Sequence, residues 1–284
     1  MALLAAACLS LFSVSTQADR SGTIRLPSFD NEPYRYNRGL LKLLMAEVDQ
    51  KYTVEVVNKS FNRKRMESAL ENDVIDVGWF PANAELMDKF ITLKYPMYKG
   101  LASYRIPLVK EQYRDRFNNV NSISELKTQY SGGSGLFWST TEIYNATGFN
   151  LTTSAKKSSL FYMLEGERFD YFLRGVNEVK NELKIYEPLN LVIDPNIIVY
   201  MPSVSYFFVN PKRTELAEDL KRGFQNIVNN GKYDEYIKNS YLYKDLVDII
   251  KENNQRVLRV EHNPFNAPEN DPDRWFDINQ VVAR

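Results

Sequence analysis

The sequence predicts an α/β protein of two lobes, two mainly parallel sheets joined by two hinge strands. Three observations carry that prediction. Apolar strands alternate with amphipathic helices along the chain, one helix, turn and strand pattern occurs twice, and two long extended stretches separate the halves. Alternation of this kind gives parallel sheets covered on both faces. At 284 residues the chain has length for about two ordinary domains, each able to bury a core.

Residues 1–18, "MALLAAACLSLFSVSTQA", carry no charged side chain and end on small residues before the polar "DRSGTIR". The run is short for a membrane span and reads as an export signal cleaved near Ala18, which places the mature protein in the periplasm. Its start lacks Lys and Arg, so an uncleaved anchor is the alternative. The single cysteine, Cys8, lies inside this leader, where lipid attachment is a minor reading. The mature chain then holds no thiol, which excludes disulfides and cysteine zinc sites. The single histidine, His262, lies in the Pro- and Asn-rich "EHNPFNAPENDPDR" and reads as a surface loop residue, so no metal site and no cofactor is expected.

In the first half "TIRLPSF" is a strand, followed by an aromatic loop with Phe29 and Tyr34. "RGLLKLLMAEVDQKY" has leucines at helical spacing, "TVEVVN" alternates as a strand, "RKRMESALEN" is helical, and "VIDVGWF" is a strand ending on Trp79 and Phe80. "YPMYKGLASYRIPLV" is extended, carries prolines at 96 and 107, and suits a crossing between lobes with Tyr104 and Arg105 in it.

The second half opens with "SGGSGLFWSTTE", a glycine-rich approach to an apolar strand end at Leu136, Phe137 and Trp138. Ser139 and Glu142 then have capping-box spacing, which fixes a helix start whose amides and positive dipole end favour an anion. An ordinary capped helix without ligand is the plainer alternative. "MLEGERFDYF" repeats the grammar of "ALENDVIDVGW": a Leu-Glu pair, a polar turn, and an Asp six residues after the Leu.

"FDYFLRGVNE" continues as a strand that stops on Arg174, with Gly175 behind it, before Val176, Val179 and Leu183 take up helical spacing. Open α/β sheets bind ligands at such strand ends, which puts Arg174 at the lip of a crevice. The alternative is an ion pair with Glu178, four residues on. "LVIDPNIIVYMPSVSYFFVNP" supplies the return crossing, and "ELAEDLKRGFQNIVNNGKYDEYI" an amphipathic helix stopped near Gly231 and then a short helix. The expected boundaries are residues 19–106 with 206–250 for lobe 1, 107–205 for lobe 2, and a tail at 251–284. In that tail Trp275 and Phe276 either dock on a partner or pack back on their own lobe.

The order "TIRLPSFDNEPY", "LENDVIDVGW", "PMYKGLASYRIPLV", "SISELK" and "YFFVNPKRTELAEDLKRGFQNIVNNGKYDEYI" resembles the type II periplasmic solute-binding proteins, specifically the family 3 group that includes amino-acid receptors of ABC transporters. The resemblance covers nearly all of residues 20–245; "GLFW", "LFYMLEGERFDYFLRGVNE" and "YFFVNP" are similar to a subgroup of it. It implies two lobes that close on a small molecule for an inner-membrane transporter or sensor, with the turn at Ser139, Thr140 and Thr141 receiving an anionic ligand group. Two features depart from the family. "FPANAELMDKF" lacks the Thr-x-x-Arg whose arginine clamps a ligand carboxylate, and Arg174 and Gly175 stand where an Asp takes the ligand ammonium. Both argue against an ordinary α-amino acid as ligand.

The candidate ligand-binding set is therefore Phe29, Tyr34, Trp79, Phe80, Arg105, Trp138, Ser139, Thr140, Thr141, Arg174 and Glu178. The partner is a small polar or anionic molecule, and a monomer is expected. Equal numbers of basic and acidic residues, 36 each, give no general attraction to nucleic acid or anionic lipid. A lyase or dehydratase on the same fold is the enzymatic alternative. Glu142 and Glu178 are the acids near the crevice, and with Glu142 capping a helix, Glu178 has no partner for acid-base work.

Overall fold

The computed structural model describes residues 22–28, 32–49, 52–58, 61–252 and 255–279, so the leader read at 1–18 and the candidate Phe29 lie outside the described residues. β1 (Thr23–Pro27) and β2 (Thr53–Val57) pair in parallel, from Thr23 opposite Thr53 to Pro27 opposite Val57. The helix between them, α1 (Glu32–Ala46), starts earlier than the leucine periodicity indicates. Tyr34 therefore lies in a first helical turn rather than in a loop. A proline second in a helix is compatible with this, because amides there have no partner in the helix.

α2 (Arg63–Glu71) is capped by Asn62, whose side chain accepts from the Arg65 amide at 2.9 Å. β3 (Val77–Pro81), α3 (Ala84–Lys89) and β4 (Ile91–Leu93) complete the first pass through lobe 1. The chain crosses through a short 3-10 turn into β5 (Tyr104–Lys110).

Lobe 2 then runs α4 (Ile123–Gln129), β6 (Gly132–Gly135), α5 (Ser139–Ala146), β7 (Leu151–Ser154), α6 (Lys157–Glu165), β8 (Tyr171–Gly175), α7 (Val179–Ile185), β9 (Leu191–Ile193) and β10 (Ile197–Tyr200). β6 is parallel to β7 and β8, whereas β5 is antiparallel to β8, β9 and β10. All five residues of β8 are buried. Tyr171 and Leu173 enter one core and Phe172 the other, so both faces of this strand are covered.

The return crossing ends in β11 (Ser205–Val209), which inserts between β3 and β4, antiparallel to both. In each lobe, then, the strands made by strand and helix alternation are parallel, and the strand arriving from the other lobe is antiparallel. α8 (Thr214–Asn229) buries Leu216, Leu220, Phe224 and Ile227 and lies across α1. The two helices approach so closely that a Cβ on Gly223 would fall 2.5 Å from the Leu44 carbonyl oxygen. α9 (Lys232–Asn239) is the expected short helix, and α10 (Tyr241–Glu252) extends the helical run beyond the sequence reading.

The two repeated segments adopt the same geometry. Asp73 and Glu167, each three residues after its Leu, have φ of 59° and 57°. The Asp76 amide donates to Arg25 O at 2.9 Å while its carboxylate accepts from the Arg25 amide at 2.7 Å. Asp170 exchanges the same pair of bonds with Ser131, both at 2.8 Å. Each carboxylate also takes an arginine, Arg25 at Asp76 and Arg116 at Asp170.

The tail packs back on its own chain. β12 (Arg256–Arg259) pairs in parallel with β10 and joins the lobe 2 sheet. Trp275, Phe276 and Ile278 are buried over the crossing. The Trp275 indole donates to Tyr200 Oη at 2.9 Å, the Phe276 amide to Lys99 O at 2.8 Å, and the Ile278 amide to Tyr104 Oη at 3.0 Å.

Candidate functional site

The crossing segments are clasped at two serines. Ser103 Oγ donates to Ser203 O at 3.1 Å and accepts from the Ser203 amide at 3.0 Å, and the Met201 amide reaches Ser103 O at 2.9 Å. Above this clasp the ends of β3 and β8 and the start of α5 surround a cavity of about 300 Å³. Lobe 1 supplies Arg63, Trp79 and Tyr98, lobe 2 supplies Trp138, Arg174 and Glu178, and the crossings supply Arg105 and Ser203.

Arg174 enters this space paired with two carboxylates. Its Nε donates to Glu182 Oε2 at 2.7 Å and its Nη2 to Glu182 Oε1 at 2.9 Å. Nη2 also lies 3.0 Å from Glu178 Oε2, so the i,i+4 pair read from the sequence is present. Lys157 adds a bond to Glu182 at 2.9 Å. Burial pushes the Glu182 carboxyl up, but Arg174 and then Lys157 outweigh it and hold the group below its usual value. The Arg174 guanidinium also lies 4.8 Å from the Trp138 ring centroid and 4.7 Å from that of Phe172. Two of the protein's own carboxylates, Glu182 and Glu178, thus balance the Arg174 charge where it lines the cavity.

Arg105 differs. It lies on β5 opposite Gly175, and its Nη2 donates to Ser203 Oγ at 3.1 Å. Its buried Nε has no hydrogen-bond partner among the described residues. Gly175 makes the room: a Cβ there would lie 2.4 Å from Asn177 Oδ1, 3.1 Å from Glu178 Oε2 and 3.3 Å from Arg105 Nη1. That crowding is the physical reason a glycine follows Arg174. Glu178 accepts from the Gly175 amide at 3.2 Å as well as pairing with Arg174.

Trp138 stacks on Phe172 with ring centroids 6.0 Å apart and planes at 17°. It lies flat over Gly135, where a Cβ would come within 2.2 Å of the indole. The predicted capping box is absent. Trp138 occupies the N-cap of α5, no side chain caps it, and Ser139 is already the first helical residue, out of position to accept from its own first turn. Ser139 and Thr140 line the cavity, whereas Thr141 is buried and donates to Gly135 O at 2.6 Å, and Glu142 is exposed. Leu136 and Phe137, read as a strand end, form an exposed turn. All four residues of β6 are buried, and Gly132 and Gly133 make room for the Tyr171 and Phe169 rings.

On lobe 1, Trp79 packs against Tyr34 at 5.7 Å and Phe207 at 6.4 Å. Tyr34 backs Trp79 without lining the cavity, and Phe80 is a core residue against Phe208 that touches the cavity wall. Burial pushes the Tyr98 phenol up to about 12, and its hydroxyl donates to Asn37 at 3.1 Å. Tyr144, on the buried face of α5, is held above its usual value by burial against the opposing pull of Arg105 and Arg174.

Arg63, Tyr98, Ser203 and Glu182 escaped the sequence reading. Arg63 is the first residue of α2, in the connection that follows β2, so topology alone could have indicated it. Glu182 stands four residues after Glu178 and eight after Arg174, a spacing that aligns both acids with the guanidinium. Among the described residues, Arg63, Arg105, Lys157 and Arg174 at and beside the cavity outnumber Glu178 and Glu182, which gives this set excess positive charge. Among the described residues no cluster of His, Cys, Asp and Glu could hold a metal ion, and no helix is long and apolar enough to cross a membrane.

No family model matches the sequence, and no curated protein matches it. Solved structures do match. An ancestral arginine-binding protein bound to arginine is similar over 78% of this chain and 98% of its own, with a TM-score of 0.53 and 17% identity. A chain connected with glutathione import via GshT and the cystine ABC importer TcyBC of Streptococcus mutans matches over 78% and 95%, at 0.54 and 15%. A histidine kinase sensor domain similar to periplasmic binding proteins matches over 78% and 97%, at 0.52 and 13%. These likenesses establish the fold: the chain has the two-lobed periplasmic-binding-protein architecture.

Proposed function

We propose that this chain is a periplasmic solute-binding protein that captures a small polar or anionic molecule between its lobes and delivers it to an ABC-type transporter. The observation that carries this reading is a cavity walled by both lobes and floored by their clasped crossings. Two lobes joined at such a clasp can rotate about it and enclose a ligand. The names of two neighbours, an arginine-binding protein and a chain from ABC-importer work, support the same role. Binding is favoured over catalysis by the state of Glu178. It is the one carboxylate among the described lining residues, and Arg174 and the Gly175 amide already hold it.

A thermal-shift screen of the mature protein against metabolites, followed by small-angle scattering of each hit, tests the proposal. A ligand that binds the folded state raises the melting temperature, and closure reduces the radius of gyration. Hits that leave the scattering unchanged refute capture between lobes, and turnover of a hit refutes a purely binding role. The sensor-domain neighbour favours sensing as a second reading. Under that reading, deleting the gene abolishes a transcriptional response to the ligand and leaves its uptake intact.

A further inference from the structure

We infer that Arg105 anchors the ligand, and that the ligand is a small organic carboxylate with no ammonium group. The inference rests on the reading of the interlobe cavity as a ligand site and deepens it. Its starting point is the charge balance. Arg174 meets two carboxylates, whereas among the described residues Arg105 meets only the Ser203 hydroxyl and keeps a buried Nε with no hydrogen-bond partner. A buried guanidinium donor left without an acceptor is unfavourable, and a carboxylate matches its fork with charge-assisted bonds. Ser203 Oγ, while accepting from Arg105, keeps its own proton to donate to the same anion.

The cavity offers an ammonium nothing comparable. Glu178 is held by Arg174 and by the Gly175 amide, so an amino-acid ammonium would enter among Arg63, Arg105 and Arg174 with no unengaged carboxylate among the described lining residues to meet. Like-charge contact of this kind is a device of specificity. Trp79 and Trp138, one on each lobe, line the same cavity and offer aromatic surface to the body attached to the carboxylate.

The test pairs probes of matched shape: 2-oxoglutarate against L-glutamate, and benzoate against benzamide, each titrated calorimetrically at millimolar concentration into wild type, Arg105→Gln and Arg105→Lys. The inference expects at least one carboxylate to bind more tightly than its ammonium-bearing or neutral mate. It also expects Arg105→Gln to weaken that binding about fiftyfold and Arg105→Lys to restore only part of it. Circular dichroism of the variants confirms folding. Equal or tighter binding of the mate, unaltered affinity in Arg105→Gln, or no binding by either carboxylate overturns the inference. The receptor reading survives that last result if the metabolite screen yields hits of another class.

A ligand-free readout accompanies it. Relative to free N-acetyltryptophanamide, iodide should quench the protein's tryptophan emission more than caesium does, because Trp79 and Trp138 border the cationic cavity while Trp275 is buried, and Arg105→Gln should reduce the difference. Equal quenching by the two ions also overturns it.

Discussion

Replacing Arg174 with Met separates a structural guanidinium from a ligand-binding one. The side chains of Arg174 and Glu182 are each 3% exposed and share two bonds of 2.7 and 2.9 Å. Removing one partner of a buried pair costs about 3–5 kcal/mol, because the other charge is left uncompensated. Lys157 remains on Glu182, but half of it is exposed to water, so it offsets only about 1 kcal/mol. The expected loss in Arg174→Met is therefore about 3 kcal/mol by urea denaturation at neutral pH with unchanged slope. The double variant Arg174→Met, Glu182→Leu places apolar groups against Trp138 and Phe172 and should return to within about 1 kcal/mol of wild type. A single variant that loses less than about 1 kcal/mol, or a double variant no better than the single, refutes the reasoning. The pair also sets a pH dependence. Glu182 has a lowered folded-state pKa, so its stabilisation is fully present above the unfolded carboxylate value and disappears as pH falls through the lowered one. The stability difference between wild type and Glu182→Gln should accordingly narrow in acid.

Four other substitutions address the site and its supports. Gly135→Ala should displace the Trp138 indole, cost about 1–3 kcal/mol and shift tryptophan emission, and unchanged emission and melting temperature would contradict the close approach. Asp76→Asn should cost about 3–5 kcal/mol, since Asp76 is fully buried between Arg25 and Arg213. Asp170→Asn, 31% exposed, should cost only about 1–2 kcal/mol, and equal losses in chemical denaturation would count against the burial argument. Trp275→Ala should cost about 3–5 kcal/mol and expose the tail to limited proteolysis, whereas an uncut tail at wild-type stability would show that its packing contributes little.

The repeated Leu-Glu and Asp pattern was legible because it serves one local purpose twice. The Asp closes the base of a strand on the neighbouring strand's backbone, and nearby sequence specifies that geometry. Trp138 was legible as a cavity wall because it closes a strand and turn unit, whereas Trp79, read as a strand end, lines the cavity from the middle of β3. Arg174 was half legible. Its position at the strand end follows from the pattern, but its partner Glu182 lies on the next helix, where exposed and buried acids look alike in sequence. The capping box failed because Trp138 and the glycines of β6 shift the helix start by one residue, a matter of packing rather than motif. The role of the tail depended on long-range pairing of β12 with β10, which no local periodicity encodes.

β11 is central to the lobe 1 sheet yet is made after all of β5 to β10. During synthesis the amino-terminal lobe therefore has to wait, its apolar Val77, Phe80 and Leu93 uncovered, until Val209 has left the ribosome, while lobe 2 can assemble most of its strands from contiguous chain. Folding order is thus inverted relative to chain order. Chains truncated before Ser205 should be digested in their first half and protected in their second, and the opposite pattern would reverse this sequence of events.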